Sequence, residues 1–149
     1  MGKTQQDRVR TFVGRRTRVC YCSRVGTPKT VLVADDEEPI RALITRVLGK
    51  KGYRLLLAAD GVEALALFHA HREEIDAVVF DVRMPNLAGP DALVKILALR
   101  PGLPAVLMSG FTSDHDLSEL LASGVRFVPK PLRIDVLADV VCEIAPLTA

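Results

Sequence analysis

From residue 30 onward the chain alternates short apolar runs with longer segments in which apolar residues recur every three or four positions. The run Ala77-Val78-Val79-Phe80 is the clearest of the first kind. It is too short for a helix and shows no polar alternation, so it predicts a strand covered on both faces, as in parallel sheets. The run ends at Asp81, and Pro85, Asn86, Gly89 and Pro90 then spell a loop. Thr30 to Ala34 is an earlier run of the same type, and it too ends in acids: Asp35, Asp36, Glu37 and Glu38. Residues 53–58, 104–108 and 125–128 predict three further strands.

Between these runs the spacing turns helical. Pro39 suits a first helical turn; Ile40, Leu43, Ile44, Val47 and Leu48 follow at helical intervals, and Lys50, Lys51 and Gly52 close the segment. Asp60-Gly61 predicts a turn, then a helix over residues 62–70 with Val62, Leu65, Ala66 and Phe68 or His69 on its buried side. Residues 91–99 predict a third helix, buried through Leu93, Ile96 and Leu97 and broken by Pro101-Gly102. Residues 114–122 predict a short polar helix capped by Thr112 or Ser113, and residues 134–144 a last one. Five strand–helix units in succession predict an α/β fold: a doubly wound, five-stranded parallel sheet with five helices on its two faces. The pattern does not itself fix the strand order. In the order 2-1-3-4-5, Asp35/Asp36 and Asp81 would end adjacent strands at the switch point, where open α/β sheets place their chemistry.

Composition divides the chain in two. Residues 1–29 hold eight Lys and Arg against one acid, Asp7, whereas the remainder holds 12 basic and 17 acidic residues. The overall charge of +2 therefore describes neither part and does not argue for nucleic-acid binding by the domain. Residues 1–29 show no sustained period and read as a basic flexible leader or linker; residues 30–145 form the domain and 146–149 a tail. No apolar run approaches the ~20 residues that span a bilayer, and no secretory signal is evident. Cys20 and Cys22 form a C-x-C without a second ligand pair, and Cys142 lies far off, so neither zinc nor a disulfide framework is expected. The expected compartment is the cytoplasm, with reduced thiols.

The predicted strand ends supply Asp35, Asp36, Asp81, Ser109 and Lys130. Three converging carboxylates repel one another unless a cation intervenes. Oxygen-only ligands favour a hard divalent ion, magnesium first. One carboxylate could then act as a nucleophile toward phosphorus, giving an aspartyl phosphate. The metal and a lysine would neutralise the transferring phosphoryl group, and Ser109 could donate to the product. The plainer reading of the acids is capping: of the first helix by residues 35–38, and of the loop or helix after strand three by Asp81.

The pieces V-L-V-A-D-D-E-E-P-I-R, V-V-F-D-V-R-M-P-N-L-A-G, V-L-M-S-G-F-T and F-V-P-K-P-L, in this order, resemble the receiver domain of two-component signalling over residues 30–145. The resemblance implies the flavodoxin-like receiver fold with strand order 2-1-3-4-5. It implies Asp81 as phosphoacceptor, Asp36 as main magnesium ligand (manganese is possible), Asp35 as a ligand directly or through water, and the backbone carbonyl of Arg83 completing the metal shell. Ser109 matches the switch hydroxyl, Phe127 the switch aromatic and Lys130 the phosphoryl-pairing lysine; the Lys130–Pro131 bond is expected to be cis. The implied partners are a histidine kinase or histidine phosphotransfer protein, with an unknown downstream protein on the face of the fourth helix, fifth strand and fifth helix. No membrane is expected as a partner, and nucleic acid only weakly, through the leader. The resemblance implies no enzyme beyond magnesium-dependent self-phosphorylation and slow autodephosphorylation, since Arg83 stands where an aspartyl phosphatase would carry its second acid. The wording is closest to stand-alone or hybrid-kinase C-terminal receivers. The alternative is a phosphorylation-independent interaction module of the same fold. His69, His71 and His115 read as ordinary helix-face residues, and Phe111 either gates water near the site or simply packs.

Overall fold

In the computed structural model, the described residues are 28–110 and 117–147, together with the backbone of Val9–Val13 and Arg18–Cys22. The last two segments are strands β1 and β2, which pair antiparallel in a hairpin, Phe12 opposite Val19. Sequence periodicity predicted no element there; the hairpin is a departure from the expected structureless leader. Its second strand lies against the first helix and the edge of the main sheet. Phe111, the Thr112 or Ser113 cap, His115 and the Cys20 and Cys22 side chains lie outside the described residues, as does the end of the tail.

The main sheet comprises β3 (Thr30–Ala34), β4 (Arg54–Ala58), β5 (Ile75–Asp81), β6 (Ala105–Ser109) and β7 (Arg126–Pro129). All neighbours are parallel, in the order β4-β3-β5-β6-β7, which is 2-1-3-4-5 counted from Thr30. The helices are α1 (Glu38–Lys51), α2 (Gly61–Ala70), α3 (Gly89–Leu99), α4 (Ser118–Ala122) and α5 (Ile134–Ile144).

The doubly apolar strands have a direct structural reading. Val31, Val33, Ala77, Val79, Val106 and Met108 pack against Ile44 and Leu48 of α1 and Leu137 and Val141 of α5. The alternate residues Leu32, Val78, Phe80 and Leu107 pack against Ala64 and Phe68 of α2 and Leu93 and Ile96 of α3. Each of these residues thus buries its side chain on one face or the other, worth ~1.5–3 kcal/mol for a large apolar group. Tyr53, completely buried ahead of β4, donates its hydroxyl to the Ala145 carbonyl at 2.7 Å and ties the end of α5 to the sheet.

Two local expectations change. Val62 is 53% exposed, and Ala66 and His69 are exposed too; the buried side of α2 is Ala64 and Phe68. The helix is apolar nearly all round, so its period did not single out a face. Within the described residues α4 is a single short turn beginning at Ser118.

Candidate functional site: a carboxylate and lysine cluster at the sheet mouth

The register builds the site. Ala34 pairs with Phe80, so Asp35 and Asp81 leave adjacent strands side by side. Asp81 pairs with Met108, and Ser109 with Pro129, so Ser109 and Lys130 follow one step further across the sheet. Lys130 is anchored by its own N–H, which donates to the Ser109 carbonyl at 2.9 Å. The Lys130–Pro131 bond is cis, as expected.

Asp35 is fully buried, and Asp81 and Ser109 nearly so, while Asp36 is exposed at the rim. Carboxylate oxygens of Asp35, Asp36 and Asp81 all lie within 4.8 Å of one another. The Lys130 ammonium donates to Asp81 Oδ2 at 3.1 Å and to Asp35 Oδ2 at 3.2 Å, with Glu37 4.0 Å away. The other oxygens have backbone donors: Glu37 N–H to Asp35 Oδ1 at 2.8 Å, and Arg83 N–H to Asp81 Oδ1 at 3.3 Å. Asp35 is therefore not idle in capping, but its second oxygen faces the lysine rather than the helix. The α1 N-terminus itself has no side-chain cap. Arg41, which the sequence did not single out, donates to the Asp35 backbone carbonyl at 2.7 Å.

Burial pushes both Asp35 and Asp81 above the ordinary carboxylate value of 3.8; for Asp81 the Asp35 charge adds to this, and Lys130 opposes it in both. Lys130 feels the reverse balance. Burial pulls its pKa down, but the two carboxylates outweigh that and leave it raised. Three carboxylates and one ammonium leave the cluster short of positive charge. An oxygen-only donor set of this kind, open at Asp36, fits a hard divalent cation such as magnesium. The cluster can equally place a carboxylate nucleophile beside a cation that stabilises charge on an incoming phosphoryl group.

The loop after β5 is held from below by glycines. A Cβ on Gly89 would lie 2.1 Å from the Asp81 carbonyl oxygen, and one on Gly61 2.1 Å from the Leu87 carbonyl oxygen. Both positions read in the sequence only as turn signals; the close approaches they permit are tertiary. Asn86, with φ +69°, donates its amide to Asp60 Oδ2 at 2.8 Å. Phe127 is half-buried against the α2–α3–α4 side of the core. His69 is exposed with its ring edge-on to Phe68, and His71 pairs with Glu74, so neither approaches the site.

Parallel strands in this order, with acids on the two central strand ends and a lysine reaching in from the last strand, define a receiver-type α/β domain. The chain belongs to the response regulator receiver domain family, whose model matches residues 31–142. It is 37% identical to the probable transcriptional regulatory protein TcrX of Mycobacterium tuberculosis, over 74% of this chain and 47% of that protein. It is 36% identical to the sensor kinase CckA of Brucella abortus, over 76% of this chain and 12% of that protein. The chain thus spans half or less of the length of these curated relatives. Among solved structures, a CheX–CheY complex from Borrelia burgdorferi carrying BeF3 and magnesium matches with a TM-score of 0.73 and 26% identity, over 80% of this chain and 90% of that one. Receiver domains are signalling domains of two-component systems, and histidine kinases or phosphotransfer proteins are their counterparts. Among the described residues no helix is long and apolar enough to cross a membrane.

Proposed function

We propose that this chain is a phosphoacceptor in a two-component phosphorelay, taking a phosphoryl group onto Asp81. The observation that carries the reading is the Lys130 ammonium shared between Asp35 and Asp81, within a cluster in which one oxygen of each of three carboxylates lies within 4.8 Å of the others. In this reading an Asp81 oxygen attacks the phosphorus of a phosphohistidine on a kinase or phosphotransfer protein. The oxygen–phosphorus bond forms as the nitrogen–phosphorus bond breaks, and the imidazole leaves. Asp35, Asp36, Asp81 and the Arg83 carbonyl would hold magnesium or manganese, which when bound neutralises charge on the phosphoryl oxygens. Lys130 shifts its hydrogen bonds from the two carboxylates to the phosphoryl group. The Ser109 hydroxyl donates to the same group. Phe127 then turns inward, and the face of α4, β7 and α5 changes its preference for a downstream protein. With Arg83 two residues after Asp81, no second acid serves hydrolysis, so the phosphoryl group is lost slowly. We place the chain in the cytoplasm.

The test is intact mass after incubation with magnesium and acetyl phosphate. The expected result is one added phosphoryl group, absent in Asp81→Asn and without magnesium. No addition to the wild type, with beryllium fluoride also leaving the far-UV and near-UV spectra unchanged, would overturn the reading in favour of a phosphorylation-independent interaction module.

A further inference from the structure

The residues between β5 and α3 carry Arg83, whose N–H meets Asp81 and whose carbonyl is assigned to the cation above. Both ends of this loop are held by backbone bonds. Val82 N–H donates to Met108 O at 2.8 Å, and Gly89 N–H returns to Val82 O at 3.0 Å. Its middle is held differently. The Asn86 amide reaches the Asp60 carboxylate, 26 residues away in sequence, at 2.8 Å. Beside this contact the Leu87 carbonyl sits where a Cβ on Gly61 would be. Asp60 in turn is fastened to α2: its Oδ1 accepts the Glu63 N–H at 2.7 Å, and Glu63 Oε1 accepts the Ala59 N–H at 2.6 Å. This resembles a capping box, with Glu63 reaching back to the residue before the cap, and it fixes the carboxylate in place. Hydrogen bonds from Glu63 and then from Asn86 hold the Asp60 carboxyl below its ordinary pKa, so it is a charged acceptor.

We infer that Asn86 and Asp60 act together as positioning residues, latching the loop that carries Arg83 to the N-terminus of α2 and so setting the geometry of the cation and phosphoryl site. The inference rests on the proposed function. Neither side chain touches the reacting atoms; their effect passes through the Arg83 backbone. Asn86 adopts a left-handed conformation that glycine accepts more readily. Replacing it by glycine therefore removes the amide while easing the backbone, which separates positioning from folding.

The experiment measures magnesium binding by titration calorimetry, with magnesium chloride alone, together with the rate of phosphorylation by acetyl phosphate and the melting temperature. In Asn86→Gly the melting temperature should stay within about 2 °C of the wild type, since relief at positive φ offsets a single exposed hydrogen bond. Magnesium affinity should fall about three- to tenfold and phosphorylation should slow by a similar factor. Asp60→Asn, which keeps both a helix cap and an acceptor for the amide, should stay within twofold of the wild type. Asp60→Ala should lose affinity as Asn86→Gly does, and the double variant should lose no more than either single one. Wild-type magnesium affinity in Asn86→Gly, or losses that multiply in the double variant, would overturn the latch. A wild type that neither binds magnesium nor gains mass would instead overturn the proposed function itself.

Discussion

Replacing Gly89 by alanine poses two physical effects against each other at the end of the strand that carries Asp81. Gly89 is the first residue of α3, and alanine in place of a helical glycine ordinarily gains ~0.5–1 kcal/mol. The added methyl, however, would lie 2.1 Å from the Asp81 carbonyl oxygen, 2.9 Å from its carbonyl carbon and 3.3 Å from Val82 Cα. Cβ contacts do not occur below 3.0 Å, so the strand end or the helix start must yield by roughly 0.9 Å. The obstacle is backbone in the middle of a sheet, with no flexible side chain to swing away. Overpacking of this kind costs ~1–3 kcal/mol, and a backbone obstacle belongs in the upper half of that range. The clash wins: a net loss of about 1–2 kcal/mol, or a melting temperature about 4–8 °C lower for a domain of this size. Because the displaced atoms belong to Asp81, the acetyl phosphate reaction should slow about 10- to 100-fold, the effect of moving a reacting group by ~1 Å. Gly110→Ala is the stability control, since its Cβ meets only Lys130 Cβ at an ordinary 3.7 Å. Scanning calorimetry and timed mass spectra read both quantities. A Gly89→Ala protein that melts at or above the wild type and is phosphorylated at the wild-type rate would refute the steric argument.

Magnesium at 100 times its dissociation constant should stabilise the wild type by ~2.7 kcal/mol, and Asp36→Ala should abolish most of that shift in a thermal melt. The α3 N-terminus has Ala88 at its cap position with extended backbone and no side-chain cap, so Ala88→Asp should add about 1 kcal/mol in urea unfolding. The Asp60 carboxyl is held below its ordinary value of 3.8, first by the Glu63 N–H and then by Asn86. Its contribution is present above pH 3.8 and fades as the pH falls through the lower folded value, so Asp60→Ala should narrow the stability gap to wild type in that acid window and not at neutral pH. A gap that is constant with pH would show that the carboxylate's charge plays no part.

The strands from Thr30 onward were readable because burial on both faces writes an unbroken apolar run, as in residues 77–80. The acids and the lysine were readable as a set because each ends a strand, and a parallel sheet gathers its strand ends at one edge. The orientation of α2 was not readable: with Glu63 its one acid or base besides His69, the helix has no polar stripe to mark its outer face, and Val62 went to solvent. The hairpin gave no signal because its two strands are only five residues each and Arg10 and Thr11 break up the apolar run of the first. Arg41, Asn86 and the glycine approaches were beyond reach for another reason. Their partners lie on other elements, and no local pattern encodes which carbonyl a side chain will meet.

The lysine that balances the site is 95 residues from Asp35 and 49 from Asp81, on the last strand of the sheet. During folding, or during synthesis from the N-terminus, β3 and β5 can pair and bury their aspartates before Lys130 is in place. A partly folded chain with β3 and β5 paired but β7 undocked would bury the two carboxyls without their lysine, which is costly unless they take up protons or a cation. Docking of the last strand–helix unit is therefore expected to be coupled to the burial of the two aspartates. A chain cut short of residue 130 should stay loose and acid-favoured, and fragments divided between β6 and β7 should recombine more tightly at neutral pH when the lysine-bearing piece is added.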